Sequence, residues 1–292
     1  MNVPNILVPL DGSEQALAAV PVAKVLSEIE RVATCLLYVG EHEPPDADLH
    51  ERLARGTPIL YGLAMEARSG SPATEIVQAA REMQSRMIVM CKHSRPERTE
   101  MLGGTAMQVL REASCPVVLV PPERGVAPWH LQHMLVPHDG TPTTSAALKP
   151  AMQIADLADA ELLVAHVTEA KAPPQEPGTF TTPRYVDQPQ YDWPSWGEEF
   201  AKRLAGMCPL GHVNVRVSLA RGDPAQEILR LSEKQSTDLI VLAWRGKWEA
   251  PRAQILKGIL RRASFPVMVV RVAAKGRETV TEPAHSARGG AG

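Results

Sequence analysis

An apolar run ends twice in a carboxylate and a glycine: Asp11-Gly12-Ser13 follows residues 5–10, and Asp139-Gly140-Thr141 follows residues 132–137. A carboxylate at such a turn can contact a ligand or cap the helix that follows, and one side chain can do both. Further along, residues 91–105 read CKHSRPERTEMLGGT. Gly104-Thr105 stands where a helical pattern opens. Glycine there lets backbone approach an anion, which the unpaired N–H groups and the helix dipole favour. Lys92, His93, Arg95 and Arg98 precede it, as Arg245, Lys247 and Arg252 do in the stretch 243–258, AWRGKWEAPRAQILKG. Such cations could grip phosphate where backbone cannot. An ordinary solvated basic loop is the other reading, and composition alone does not choose between them.

Other chemistries lack their motifs. A dinucleotide fingerprint would need G-x-G-x-x-G where Asp11-Gly12-Ser13-Glu14 stands. The nearest P-loop spacing, Gly206 to Gly211, runs on into His212 and Val213. No G-x-S-x-G elbow occurs, and only the Asp-Gly-Ser core resembles an ATP-pyrophosphatase turn. Without a general base and metal constellation no enzyme is expected. Cys35, Cys91, Cys115 and Cys208 show no C-x-x-C spacing and read as buried thiols, so neither metal site nor disulfide framework is assigned.

The elements that must position these residues come from a duplication. The 292 residues suggest two units at ~150 residues each, and 44% hydrophobic with 22% charged residues is an ordinary globular balance. A net charge of −2 argues against bulk attraction to nucleic acid or membrane. The run 6–10 is too short for a signal-peptide core and no stretch reaches the ~18 apolar residues of a membrane helix, so a cytoplasmic chain is expected. NILVPLDGSEQALAA, from Asn5, returns as HMLVPHDGTPTTSAA from His133; RSGSPATEIVQAA, from Arg68, returns as ARGDPAQEILRLS from Ala220. MIVMC at Met87 returns as LIVLA at Leu239, and ASCPVVLVP at Ala113 as ASFPVMVVR at Ala263. His93 and His138 find no histidine at the matching places and read as drift.

Apolar runs alternating with helical patterns predict βαβ units on a parallel sheet. Strands are expected near 5–10, 34–39, 60–68, 86–91 and 116–121, then 132–137, 161–167, 213–221, 238–243 and 266–272. Helices are expected near 13–29, 72–83 and 104–113, then 142–158, 194–206, 224–235 and 252–263, with one irregular helix within 40–57. Ser13 and Ser71 are expected N-caps, Pro72 sitting at the first helical position. The two units span 1–123 and 131–273. The prolines and Gly125 of 121–129 mark a linker, centred on 124–130. An aromatic, Pro-rich insertion at 171–196 is a surface loop, or in the sharper reading a lid or partner patch, and a polar tail at 274–292 is expected to be disordered.

These blocks, in this order and found twice, resemble the universal stress protein family in its tandem form. The resemblance covers 3–121 and 131–272 and implies an α/β, Rossmann-like fold of two tandem five-stranded parallel sheets with flanking helices, paired through their last strands as an internal pseudo-dimer. It leaves open further homodimerisation and does not identify a protein partner. Many members bind ATP through Gly, two residues, Gly, nine residues, Gly and Ser or Thr. Cys91 and Ser94 stand at the first two places here, and Gly104 and Thr105 match the last. The second copy departs further: Ala243, Gly246 and Gln254-Ile255 occupy the pattern, with Trp244 and Trp248 beside it. Family likeness also puts Asp11 by adenine and ribose, and Val39 against the base. Two functions follow: a stress-response regulator binding ATP or a related adenine nucleotide in the first unit only, or a nucleotide-free tandem interaction scaffold.

Overall fold

Asn5–Leu10 forms β1, buried at every residue, as a strand must be when both faces of a parallel sheet are covered. The computed structural model describes residues 4–40, 57–93, 102–168, 202, 212–249 and 253–272. The helix expected in 40–57 (save its end residues), most of the helix expected at 194–206, the insertion and the tail lie outside them, as do Ser94, Arg95, Arg98, Cys208 and Arg252.

After β1 the first half continues with α1 (Ala19–Glu30), β2 (Ala33–Gly40), β3 (Ala64–Ser69), α2 (Pro72–Glu82), β4 (Met87–Cys91), α3 (Gly104–Glu112) and β5 (Val117–Val120). The second half holds β6 (His133–Pro137), the single turn α4 (Pro142–Ser145), α5 (Leu148–Ala158), β7 (Glu161–Thr168), β8 (Val215–Arg221), α6 (Pro224–Lys234), β9 (Leu239–Trp244), α7 (Ala253–Arg262) and β10 (Val267–Arg271).

The strands form one ten-stranded sheet in the order β3-β2-β1-β4-β5-β10-β9-β6-β7-β8. Every pairing is parallel except β5 with β10, where Leu119, Val118 and Val117 face Val267, Met268 and Val269. The two five-stranded parallel sheets thus meet edge to edge through their last strands. Alternate strand residues feed two cores, a consequence of the two-residue period of a strand. Ile6, Val8, Met134 and Val136 pack under α1 and α5, whereas Leu7, Ile88, Leu135 and Ile240 pack under α2, α3, α6 and α7. Both cores run across the seam.

Three expected elements differ from those observed. The helix expected at 13–29 starts with a 3-10 turn, Gln15–Ala18, and the one at 142–158 breaks at Ala146 and Ala147. Pro21 and Pro150 cannot donate to the carbonyls four residues earlier, which accounts for both interruptions. The strand expected at 60–68 begins at Ala64, preceded by a 3-10 turn, Pro58–Leu60, and by Gly62 at φ +76°. Ser13 is not the N-cap: Glu14 holds that position for the 3-10 turn and makes no side-chain cap bond, while Ser13 Oγ, one residue earlier, accepts from the Ala16 N–H at 3.2 Å. Ser71 holds the N-cap position of α2, but its side chain makes no cap bond. Around 121–129, Pro122–Arg124 forms a 3-10 turn and Trp129 is buried in the α1–α5 core. No described helix is long and apolar enough to cross a membrane.

Candidate functional site

Within each half the strand order reverses at the first and fourth strands, β1 beside β4 and β6 beside β9. Doubly wound sheets hold ligands in the crevice beyond the carboxyl ends of such strands. Asp11 follows β1 there. Its Oδ1 accepts from the Ser13 N–H at 3.0 Å and from the Ser13 hydroxyl at 2.6 Å, so the turn role is filled, with Gly12 at φ +82° making the turn. Beside it, Leu10, Gly12, Ser13, Leu17, Thr57 and Leu60 line a cavity of about 50 Å³. That holds a few waters, against roughly 300 Å³ for a small-molecule pocket.

Cys91 ends β4, 7% exposed, and its thiol donates to the His93 carbonyl at 2.9 Å. Burial pushes this thiol up to about 11, the Asp11 and Glu123 carboxylates adding to the effect, so Asp11 and Cys91 share one electrostatic environment. Cys91 is not among the described residues with positive φ, so its Cβ adds no backbone strain where the family pattern has glycine. The His93 imidazole is held below its ordinary value by burial and by Lys92.

Gly104 is the first residue of α3, behind an N-cap at Gly103 whose amide donates to the Lys92 carbonyl at 2.8 Å. Gly104 and Thr105 are exposed, and a Cβ built on Gly104 would meet nothing within 4 Å. The protein's own packing therefore sets no requirement for glycine there. Val39 is half-buried in β2 and packs toward the core under α2 and α3, whereas the neighbouring Tyr38 ring lies 3.9 Å from the place of a Gly12 Cβ. Asp11, Cys91, Gly104 and Thr105 come to one end of the sheet. Tyr38 was missed by reasoning from sequence, although the alternation of β2 was a signal for it.

The second rim is built otherwise. Asp139 Oδ1 accepts from the Thr141 N–H at 3.0 Å and from the Thr141 and Thr144 hydroxyls at 2.6 and 2.7 Å. His138, 2% exposed, accepts from the Gly140 N–H at 3.0 Å through Nδ1 and sits 3.0 Å from the Ser145 hydroxyl through Nε2. Burial pushes it down to about 4, with His166 adding to the fall and Asp139 opposing it. His166 donates from Nδ1 to the His138 carbonyl at 2.8 Å. Trp244 and Trp248 pack edge to face at 5.8 Å, with Lys257 Nζ 5.0 Å from the Trp248 centroid. Gly258 is explained by packing: its Cβ would come 2.7 Å from that of Ala225, where α7 meets α6. Among the described residues no group of three His, Cys, Asp or Glu is arranged to hold a metal ion.

Fold and rim together define a duplicated, doubly wound α/β protein with two unlike strand-end crevices. The profile of the universal stress protein family matches residues 2–121 and 130–271. The chain belongs to the universal stress protein family. It is 26% identical over 151 residues to a universal stress protein of Methanocaldococcus jannaschii, covering 47% of this chain and 81% of that one. It is 29% identical over 197 residues to universal stress protein Rv2623 of Mycobacterium tuberculosis, covering 63% of this chain and 61% of that one. The crystal structure of a universal stress protein from Archaeoglobus fulgidus superposes with a TM-score of 0.59 at 18% identity, over 91% of this chain and 96% of that one. That likeness concerns the fold.

Proposed function

We propose that this chain is a stress-response regulator that binds ATP or a related adenine nucleotide in its first half only, in the cytoplasm and without dedicated catalysis. The observation that carries this reading is Gly104: an exposed glycine opening α3, with open space where its Cβ would point, at the same end of the sheet as Asp11. A helix start left bare in this way can take an anion on its N–H groups. In the second half the matching carboxylate, Asp139, already accepts three internal hydrogen bonds, and two tryptophans crowd the loop after β9. Regulation needs no reacting side chain, only different affinities of two conformations for the nucleotide.

One observation favours the nucleotide-free scaffold instead: the cavity beside Asp11 is only about 50 Å³. Chromatography of small molecules released from the purified protein separates the two, with bound adenine nucleotide expected. Thermal unfolding with Mg-ATP then places it. Gly104→Val should leave the unliganded melting point near wild type, because the new side chain enters open space, yet remove the ATP-dependent rise. Gln254→Val in the second half should keep that rise. An ATP response unchanged in Gly104→Val excludes the first-half site.

A further inference from the structure

Lys92 is where the first-half rim meets the second half. It follows β4, is 7% exposed, and stands at the position that Trp244 takes in the repeat. Its N–H donates to the Val120 carbonyl at 2.9 Å, and its carbonyl accepts from the Gly103 N–H at 2.8 Å. Its Nζ lies 3.4 Å from the Ala263 carbonyl, immediately beyond α7. One residue thus ties the end of β5, the N-cap of α3 and the C-terminus of a helix in the other half. The second half returns the contact, since Glu249, beyond β9, lies 3.9 Å from Arg111 in the last turn of α3. Burying a lysine costs rotamer freedom and hydration, so a merely solvated basic loop does not account for it. A cation at a helix C-terminus is favourable because the last carbonyls lack partners within the helix.

The geometry points to Lys92 as a positioning residue that makes the rim at 103–105 a structure of both halves, coupling an anion bound at the start of α3 to the last turn of α7 across the β5–β10 seam. The identity of that anion rests on the nucleotide reading above; the tether does not. Coupling of this kind is reciprocal, so whatever loosens the end of α7 weakens binding at α3 by the same factor.

Amide hydrogen exchange on the full chain tests it. Lys92→Met keeps the backbone bonds and most of the side-chain volume while removing the ammonium. Exchange at 259–265 and at 103–106 should quicken about threefold to tenfold, with β6 and β7 unchanged, and Lys92→Arg should restore most of the protection. Lys92→Gln, a shorter neutral donor, gives the same comparison should the apolar variant not fold. Unchanged exchange at 259–265, or uniform quickening across the chain, overturns the tether. In wild type, Mg-ATP should slow exchange at both segments. Slowing at 103–106 alone overturns the coupling and leaves nucleotide binding standing. No slowing at either, with 259–265 still opened in Lys92→Met, removes the nucleotide and keeps the tether.

Discussion

His138 fits its surroundings only as a neutral ring. Nδ1 accepts from Gly140, so the ring proton sits on Nε2, toward Ser145, whose own hydroxyl donates to the Thr141 carbonyl at 3.0 Å. A second proton would have to enter on Nδ1, against an N–H. Burial, reinforced by His166 and opposed by Asp139, lowers this group from 6.5 to about 4 in the folded state. Between those values the unfolded chain binds more protons than the folded one, so stability falls as pH drops from 6.5 toward 4 and is flat above that window. At ~1.4 kcal/mol for each pH unit the loss is roughly 3 kcal/mol. His166, also lowered by burial, acts in the same direction. Urea unfolding at pH 7.5 and pH 4.5 should show the loss, and His138→Leu, which copies Leu10 of the first half, should flatten the pH slope. Cys91 gives a second test at this scale. With its thiol at about 11 and its side chain buried, alkylation by iodoacetamide at pH 8 should run about a hundredfold or more slower than for an exposed thiol. Modification at the rate of a free thiol would contradict the placement of Cys91.

The helix starts separate what repeats in the sequence from what repeats in the structure. Asp223 and Ser71 occupy equivalent N-caps before prolines, yet only Asp223 completes the cap, accepting from the Gln226 N–H at 2.8 Å. Asp223→Ala should therefore lower unfolding free energy by about 1 kcal/mol, and Ser71→Ala by a few tenths at most, in parallel urea titrations. Equal losses would mean that the cap bond contributes nothing. The same contrast explains what could be read in advance. The inner strands were legible because Val, Ile and Leu fill a sheet buried on both faces, as in NILVPL and MIVMC, whereas the edge strands β3, AMEARS, and β8, VRVSLAR, have no fully buried residue and took their place from the order of the duplicated blocks. The 3-10 turns before α1 and before β3 were not legible, since prolines and a positive-φ glycine overrode an otherwise regular apolar pattern. At the rim, Asp11 and Gly104 announced themselves by type and spacing. Lys92 did not: nothing in CKHSRP says that its side chain turns inward to another half's helix, because that is set by pairing across a seam 171 residues apart in sequence. His138 was legible as an unmatched residue, and only burial reveals its bonding.

At the scale of the whole molecule, the two halves share what usually keeps domains separate. The cores above and below the sheet each contain residues of both halves, so both hydrophobic interiors run continuously across the seam. The join itself is short, with three facing pairs between β5 and β10, and Val118 with Met268 lies at its centre, both essentially inaccessible. Stability of the sheet therefore rests on side chains flanking that ladder more than on its few hydrogen bonds. Unfolding in urea is expected to be one cooperative transition by fluorescence and circular dichroism alike, with strands β1 and β6 losing exchange protection together. Met268→Glu places a carboxylate in this apolar junction with no cation assigned to it, a change costing several kcal/mol at the seam while leaving each outer set of strands untouched. The single transition should then resolve into two. A variant that unfolds in one step at unchanged denaturant concentration would show that the halves are held together elsewhere, with α1 against α5 the first place to look.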